Sequence, residues 1–302
     1  MLAIFEQVCI LFIFSLIGYV LCKTKILKAE YSQLLSVLLV YVFLPCNTFT
    51  AFAGNFTIDY IQNNYAFLLI SIGATVVIAV SAFFLAKTLT KKDYERRVHE
   101  YSLTTPNFAY MGYAMAESLF GAVGLCNFIV YTLPLLVYGN TYGFSRLTQR
   151  SLSWKKVFNP PTIAMILGGV WGILGLPLSN VAWSVLDKAK VCMAPCSMLL
   201  LGIAVSEFPL KELLNNKNVY IVSVLRLLVI PLAIGGILQL FFSQEIVKIA
   251  VLAYVMPCGL NTIVFPKLIG EDCRSGAGLA LLSTVLACFT IPLVMWIFGV
   301  TI

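Results

Sequence analysis

Ten stretches of about 20 mainly apolar residues run along this chain, at roughly 4–22, 33–53, 65–86, 101–119, 123–143, 159–176, 187–206, 218–241, 247–268 and 277–298. A helix needs about 20 such residues to cross a hydrocarbon core ~30 Å thick. The spacing therefore predicts an all-α integral membrane protein of ten transmembrane helices. Composition agrees: of 302 residues, 60% are hydrophobic and 11% charged, where an ordinary soluble domain has about 25% charged residues. Too little polar surface remains for a soluble enzyme or a nucleic-acid binder. The fourth and ninth stretches are the weakest, because Pro106 and Pro257 interrupt them. The first stretch does not read as a cleaved signal peptide: its n-region carries Glu6 rather than Lys or Arg, and no small-residue cleavage site follows before Lys23.

The few charges orient the spans. The chain has 20 Lys+Arg and 13 Asp+Glu, a net charge of +7. With the N-terminus outside, the inside loops collect Lys23, Lys25 and Lys28, the run from Lys87 to Arg97, then Arg146, Arg150, Lys155 and Lys156, Lys211 and Lys217, and Lys267 and Arg274. Lys188, Lys190 and Lys248 fall outside, and Arg226 falls within the eighth span. Cytoplasmic loops carry the excess of Lys and Arg, so both termini are expected on the extracellular or periplasmic side of the cell membrane. The basic balance then reads as topology. Its partner is the lipid bilayer, and no nucleic acid is called for.

The two halves echo one another. Gly18 pairs with Gly168 and Pro45-Cys46 with Pro195-Cys196, at an offset of 150; Pro106 pairs with Pro257 at 151, and Leu119-Phe120-Gly121 with Leu268-Ile269-Gly270. The expected organisation is a first five-helix repeat over 1–143, a short cytoplasmic linker over 144–158 and a second repeat over 159–302. Five is odd, so the second copy sits upside down relative to the first. Inverted repeats with interrupted helices in corresponding places point to a secondary transporter.

The interrupted spans carry the candidate site. Thr105-Pro106-Asn107 breaks the fourth, and Pro257-Cys258-Gly259 with Asn261 breaks the ninth. Proline removes a backbone donor and breaks or kinks a helix. Freed backbone at membrane depth is tolerated only where it is buried in protein or lines a wet cavity. Two half-helix N-termini facing one cavity would suit an anion such as a carboxylate. Arg226 lies nine residues after Lys217, about 14 Å along a helix, near mid-depth. It reads either as an attractor for an anionic substrate or as a partner for backbone carbonyls or an acid. Asn47, after Pro45, and Ser197, after Pro195, would line the same cavity. Glu117, Asp187 and Glu207 read as interfacial. Nine cysteines in mostly apolar runs read as packing residues, and with His99 as the single histidine no metal site or cofactor is expected.

These residues resemble the auxin efflux carrier family, whose plant members are the PIN-formed carriers and whose bacterial members are often described as malate or malonate transporters. The resemblance covers nearly the whole chain. Its segments are Ile17-Gly18-Tyr19, Leu44-Pro45, Thr105-Pro106-Asn107, Met111-Gly112, Phe120-Gly121, Asn159-Pro160-Pro161, Ala194-Pro195, Leu201-Gly202, Arg226, Pro231, Met256 to Asn261, Ser283-Thr284 and Ile291-Pro292. It implies scaffold and transport domains, each drawn from both repeats, helices crossing at Pro106 and Pro257, and a substrate carboxylate bound beside the crossing. Asn107 matches the family's amide after the first proline. The resemblance also implies elevator-like alternating access. The chain departs from plant members at Pro161, where they tend to carry a second Asn, and it lacks their long hydrophilic central loop; both favour a small bacterial-type member. The expected function is a permease for a small organic anion, compatible with a homodimer. A sodium-coupled organic-anion symporter of the bile-acid type is the alternative. An intramembrane enzyme is a remote one, since no aspartate pair, Ser/His arrangement or zinc motif lies in the spans.

Overall fold

The computed structural model describes residues 2–151, 157–267 and 273–300, and among these there is no strand. The order is α1 (Leu2–Lys23), α2 (Tyr31–Asn55), α3 (Ile58–Leu89), α4 (Asp93–Thr104), α5 (Phe108–Thr148), α6 (Pro160–Leu174), α7 (Asn180–Ser206), α8 (Leu210–Leu214), α9 (Lys217–Leu238), α10 (Gln244–Val255), α11 (Asn261–Lys267) and α12 (Arg274–Ile297). Among the described residues, seven helices are long and apolar enough to cross a membrane: α1, α2, α3, α5, α7, α9 and α12.

The other expected spans differ for local reasons. The fourth is split between α4 and the start of α5 at Pro106. Its second half runs into the fifth without a loop, because the turn is made by the single residue Gly121 at φ 70°, ψ −168°. That left-handed backbone favours glycine, and it falls in the gap between the two expected stretches. The sixth span has only 15 helical residues, and the ninth is divided into α10 and α11. The proposed linker begins as helix, since α5 continues to Thr148. Residues 152–156 of that linker, and the Leu268-Ile269-Gly270 echo, lie outside the described residues.

Two helix pairs are joined by close backbone approach. A Cβ on Gly18 of α1 would lie 2.4 Å from the Leu199 carbonyl of α7, and one on Gly168 of α6 would lie 2.7 Å from the Phe49 carbonyl of α2. The offset of 150 that relates Gly18 to Gly168 also relates Phe49 to Leu199. Gly202 of α7 tightens the first pair further, its Cβ position being 1.9 Å from the Ser15 carbonyl. Small residues at such seams let membrane helices pack backbone to backbone. The outward face of α3 is apolar and open, with Leu69, Val77 and Phe84 exposed. In water such a strip would be an association site; against lipid tails it needs no partner.

Candidate functional site: a crossing of two broken helices

The breaks meet. Pro106 and Cys258 form an isolated antiparallel bridge, and the Asn107 N–H donates to the Pro257 carbonyl at 2.8 Å. Each interruption thus satisfies backbone of the other, which is how irregular chain survives at membrane depth. Gly259 permits the approach: a Cβ there would stand 3.3 Å from both the Thr105 and Pro106 carbonyls. The Cys258 N–H is taken by the Ser283 hydroxyl of α12 at 3.0 Å.

On one side of the crossing lie the C-terminal ends of α4 and α10, each carrying a partial negative charge. Arg226 spans them. Its Nε donates to the Met256 carbonyl at 3.2 Å and its Nη1 to the Leu103 carbonyl at 3.0 Å. The side chain is 0% exposed, Nη2 has no acceptor among the described residues, and the guanidinium carbon lies 5.8 Å from the Tyr254 ring centre. Arg226 sits in a widened π-type turn, Leu225–Val229. Pro231 follows, and it has no N–H for the Leu227 carbonyl four residues back. A second widened turn, Phe108–Gly112, opens α5 just past the crossing. Such turns recur at functional sites.

On the other side are the first turns of α5 and α11, where helical N–H groups lack intrahelical acceptors. Thr105 and Asn107 are 2% and 3% exposed, yet Thr105 Oγ1 and Asn107 Oδ1 have no hydrogen-bond partner among the described residues. Asn261, half-buried, donates its amide to the Tyr101 hydroxyl at 3.0 Å, one turn before Thr105. Ser197 of α7 shares its hydroxyl proton between the Ala194 carbonyl of its own helix at 2.8 Å and the Tyr110 carbonyl at 3.3 Å, so α7 touches the start of α5 there. Asn47 is buried but set apart, its amide 3.4 Å from the Met193 sulfur. So the structure gathers Thr105, Pro106, Asn107, Pro257, Cys258 and Gly259 at one point, places Asn261, Arg226 and Ser197 around it, and leaves Asn47 in the α2–α7 seam.

Tyr101 and Ser283 complete the site and were not singled out as site residues from the sequence. Ser283 lies in a segment that carries the family resemblance, but no spacing rule pairs it with Cys258, 25 residues away. Tyr101 sits in α4 among charged residues, with no break beside it to mark it.

A cavity of about 610 Å³ opens beside the crossing. Leu260 and Ile263, just past Gly259, form its floor; Leu200 and Ala204 of α7, Glu207 just after it, and Glu30, Ser32 and Ser36 around the start of α2 form its walls. The opposite end of the same boundary is held by charge. Lys190 of α7 lies 2.9 Å from a Glu117 oxygen of α5 and 3.3 Å from Asp187.

The sequence model of the membrane transport protein family matches the chain twice, over residues 3–144 and 144–295. An uncharacterized transporter of Methanothermobacter thermautotrophicus is 27% identical over 198 residues, 62% of this chain and 63% of that protein's length. The uncharacterized transporter MJ1031 of Methanocaldococcus jannaschii is 23% identical over 306 aligned positions, 97% of this chain and 98% of its own.

Proposed function

The chain belongs to the membrane transport protein family, the auxin efflux carrier family of the resemblance, and on that premise we propose that this multi-pass membrane protein is a secondary transporter for a small organic anion. The reading takes the chain as ten spans in two inverted repeats, with α4 and the start of α5 as the fourth, α10 and α11 as the ninth, and both termini outside. The substrate's carboxylate binds at the crossing, on the side of the α5 and α11 N-termini, and accepts from the Asn107 amide. The observation that carries this is Asn107 at the crossing: 3% exposed, with its amide oxygen unpartnered among the described residues, and with an amide whose O and N ends exchange by a flip that turns the NH2 toward an anion. Buried polar groups in native structures are normally paired, so an orphan beside two helix N-termini marks a place kept for a ligand.

Alternating access is supported by the asymmetry of the boundary between α7 and the crossing helices. The cavity adjoins Ala29 and Glu30, next to the Lys23–Lys28 loop that the positive-inside rule places in the cytoplasm. The Lys190–Glu117 pair closes the other end. This arrangement fits an inward-facing state in which α1, α2, α6 and α7 act as scaffold and the crossing helices slide. The cavity wall is largely apolar, which fits an acid with an apolar body. The partnerless oxygens of Thr105 and Asn107 would also suit a hard cation, the sodium-coupled reading.

The test is a thermal-shift screen of purified protein against mono- and dicarboxylates, with and without sodium. A ligand at 100 times its Kd stabilises the native state by about 2.7 kcal/mol. Asn107→Ala should weaken that ligand's binding about 10- to 100-fold, the worth of one charge-assisted hydrogen bond, and leave the ligand-free melting temperature unchanged. Equal binding by wild type and variant would remove Asn107 from the site.

A further inference from the structure

A second basic site lies away from the crossing, where the end of α5 meets the start of α4. A cavity of about 320 Å³ there is lined by Asp93 and Arg97 of α4, by Ser145 and Arg146 near the end of α5, and by Gln149, Arg150 and Ser151 beyond it. Arg97 is 4% exposed. It pairs with Asp93 at 3.2 Å and donates to the Arg146 carbonyl at 3.2 Å. Arg146 pairs with the buried Glu100 at 2.9 Å, while its Nε is buried without an acceptor. Arg96 shares Asp93. Arg150 is exposed and pairs with no carboxylate among the described residues.

The charges do not balance. Three guanidinium groups, of Arg96, Arg97 and Arg146, share two carboxylates, and Arg150 adds a fourth positive charge to the same cavity wall. Like charges held this close repel one another, and an acceptor-less Arg146 Nε adds the cost of an unmade hydrogen bond. One further anion in the cavity would offset the excess of positive charge. Depth argues for its chemistry. Tyr138 and Tyr142 pack in a tilted pair with ring centres 5.4 Å apart on the preceding turns of α5, and Tyr142 is exposed. Tyrosines collect at the level of lipid headgroups, and the cavity lies just beyond them. Basic pockets between transmembrane helices at this depth take phosphate headgroups.

We infer that the Arg97–Arg146–Arg150 cavity binds a phosphate group, carried by an anionic phospholipid or by a soluble phosphate. Guanidinium forks match phosphate oxygens in pairs; Ser151 lines the cavity too, while the Ser145 hydroxyl is donated to the Arg150 carbonyl at 2.6 Å and helps fix that turn. The site is separate from the substrate crossing, so its test does not depend on transport or on which way the chain is inserted.

Full-length protein is reconstituted in phosphatidylcholine discs with and without phosphatidylglycerol, and a second sample in detergent is titrated with inorganic phosphate. Melting temperature is read in both, and native mass spectrometry counts retained phospholipid. Arg150→Glu is the test variant, Arg150→Gln a milder one, and Lys25→Glu makes the same charge change on a distant basic loop. Stabilisation by phosphatidylglycerol, weakened about tenfold by Arg150→Glu, less by Arg150→Gln and not by Lys25→Glu, establishes a lipid site. The same variant pattern with inorganic phosphate establishes a soluble one. Equal losses in the Arg150 and Lys25 variants would mean only bulk attraction of anions to a basic face, and no response to either phosphate source would mean no site; either result overturns the inference.

Discussion

Replacing Arg226 by Gln separates the two roles open to it. The shorter amide cannot reach both the Leu103 and Met256 carbonyls, which Arg226 now holds at 3.0 and 3.2 Å. Hydrogen bonds to a charged group are worth about 1.5–3 kcal/mol each, so about 3–6 kcal/mol of interaction is lost. Removing the charge returns its cost of insertion, about 2.5–3.5 kcal/mol at mid-membrane. The bonds win narrowly, and the net destabilisation comes to about 1.5 kcal/mol at the middle of these ranges. At roughly 2–4 °C per kcal/mol for a domain of 150–250 residues, the melting temperature in detergent should fall by roughly 3–6 °C without any ligand present. Arg226→Lys keeps the charge and reaches one carbonyl, so it should fall between. A Gln variant that melts with the wild type yet binds no carboxylate would refute the clamp and return Arg226 to the substrate.

Three further outcomes follow from particular contacts. Glu117→Gln removes the Lys190 pair at 2.9 Å, worth up to about 1 kcal/mol for a partly exposed bridge; outside-applied thiol reagent should label Asn107→Cys several-fold faster in that background, and an unchanged rate would show the pair holds nothing shut. Gly202→Ala forces a methyl against the Ser15 carbonyl and should cost about 1–3 kcal/mol as overpacking, whereas Gly236→Ala, with open space around it, should be neutral in the same melts. His99 is fully buried with neither ring nitrogen partnered among the described residues. His99→Phe removes two unsatisfied polar atoms and should raise stability by about 1–3 kcal/mol; a lower melting temperature would show that the imidazole is paired in the folded protein.

The helices were legible because hydrocarbon leaves backbone few choices, and apolar length alone marks a span. The breaks were legible for the same reason: Pro106 and Pro257 are conspicuous in apolar surroundings. Gly121 was hidden, since nothing local distinguishes a glycine at φ 70° from the helical glycines Gly124 and Gly139. The crossing itself was expected only by resemblance, because pairing residue 107 with residue 257 is a tertiary fact that no local period carries. Arg226 shows the limit most clearly. Its depth could be counted from Lys217, but depth does not say whether a guanidinium faces a ligand or two carbonyls. Only the positions of Leu103 and Met256 decide what it holds. Asn47 shows the converse: a polar residue after a proline looks like a cavity residue, yet its amide rests on Met193 in a helix seam.

The reading as two repeats leaves one asymmetry to explain. At the offset of 151 that relates Pro106 to Pro257, the counterpart of Arg226 is Thr75, buried in α3. A site built from two equivalent halves would carry two arginines if each half served its own helix end. The crossing removes the need. The ends of α4 and α10 are drawn together by the Asn107–Pro257 hydrogen bond, so both negative helix termini come within reach of one planar guanidinium with five donors. A second arginine at position 75 would find those carbonyls occupied and would still cost about 2.5–3.5 kcal/mol to insert. One half therefore supplies the charge and the other a small neutral residue. The two halves share their backbone design, and a single cation, placed by the Pro231 turn, serves the ends of both.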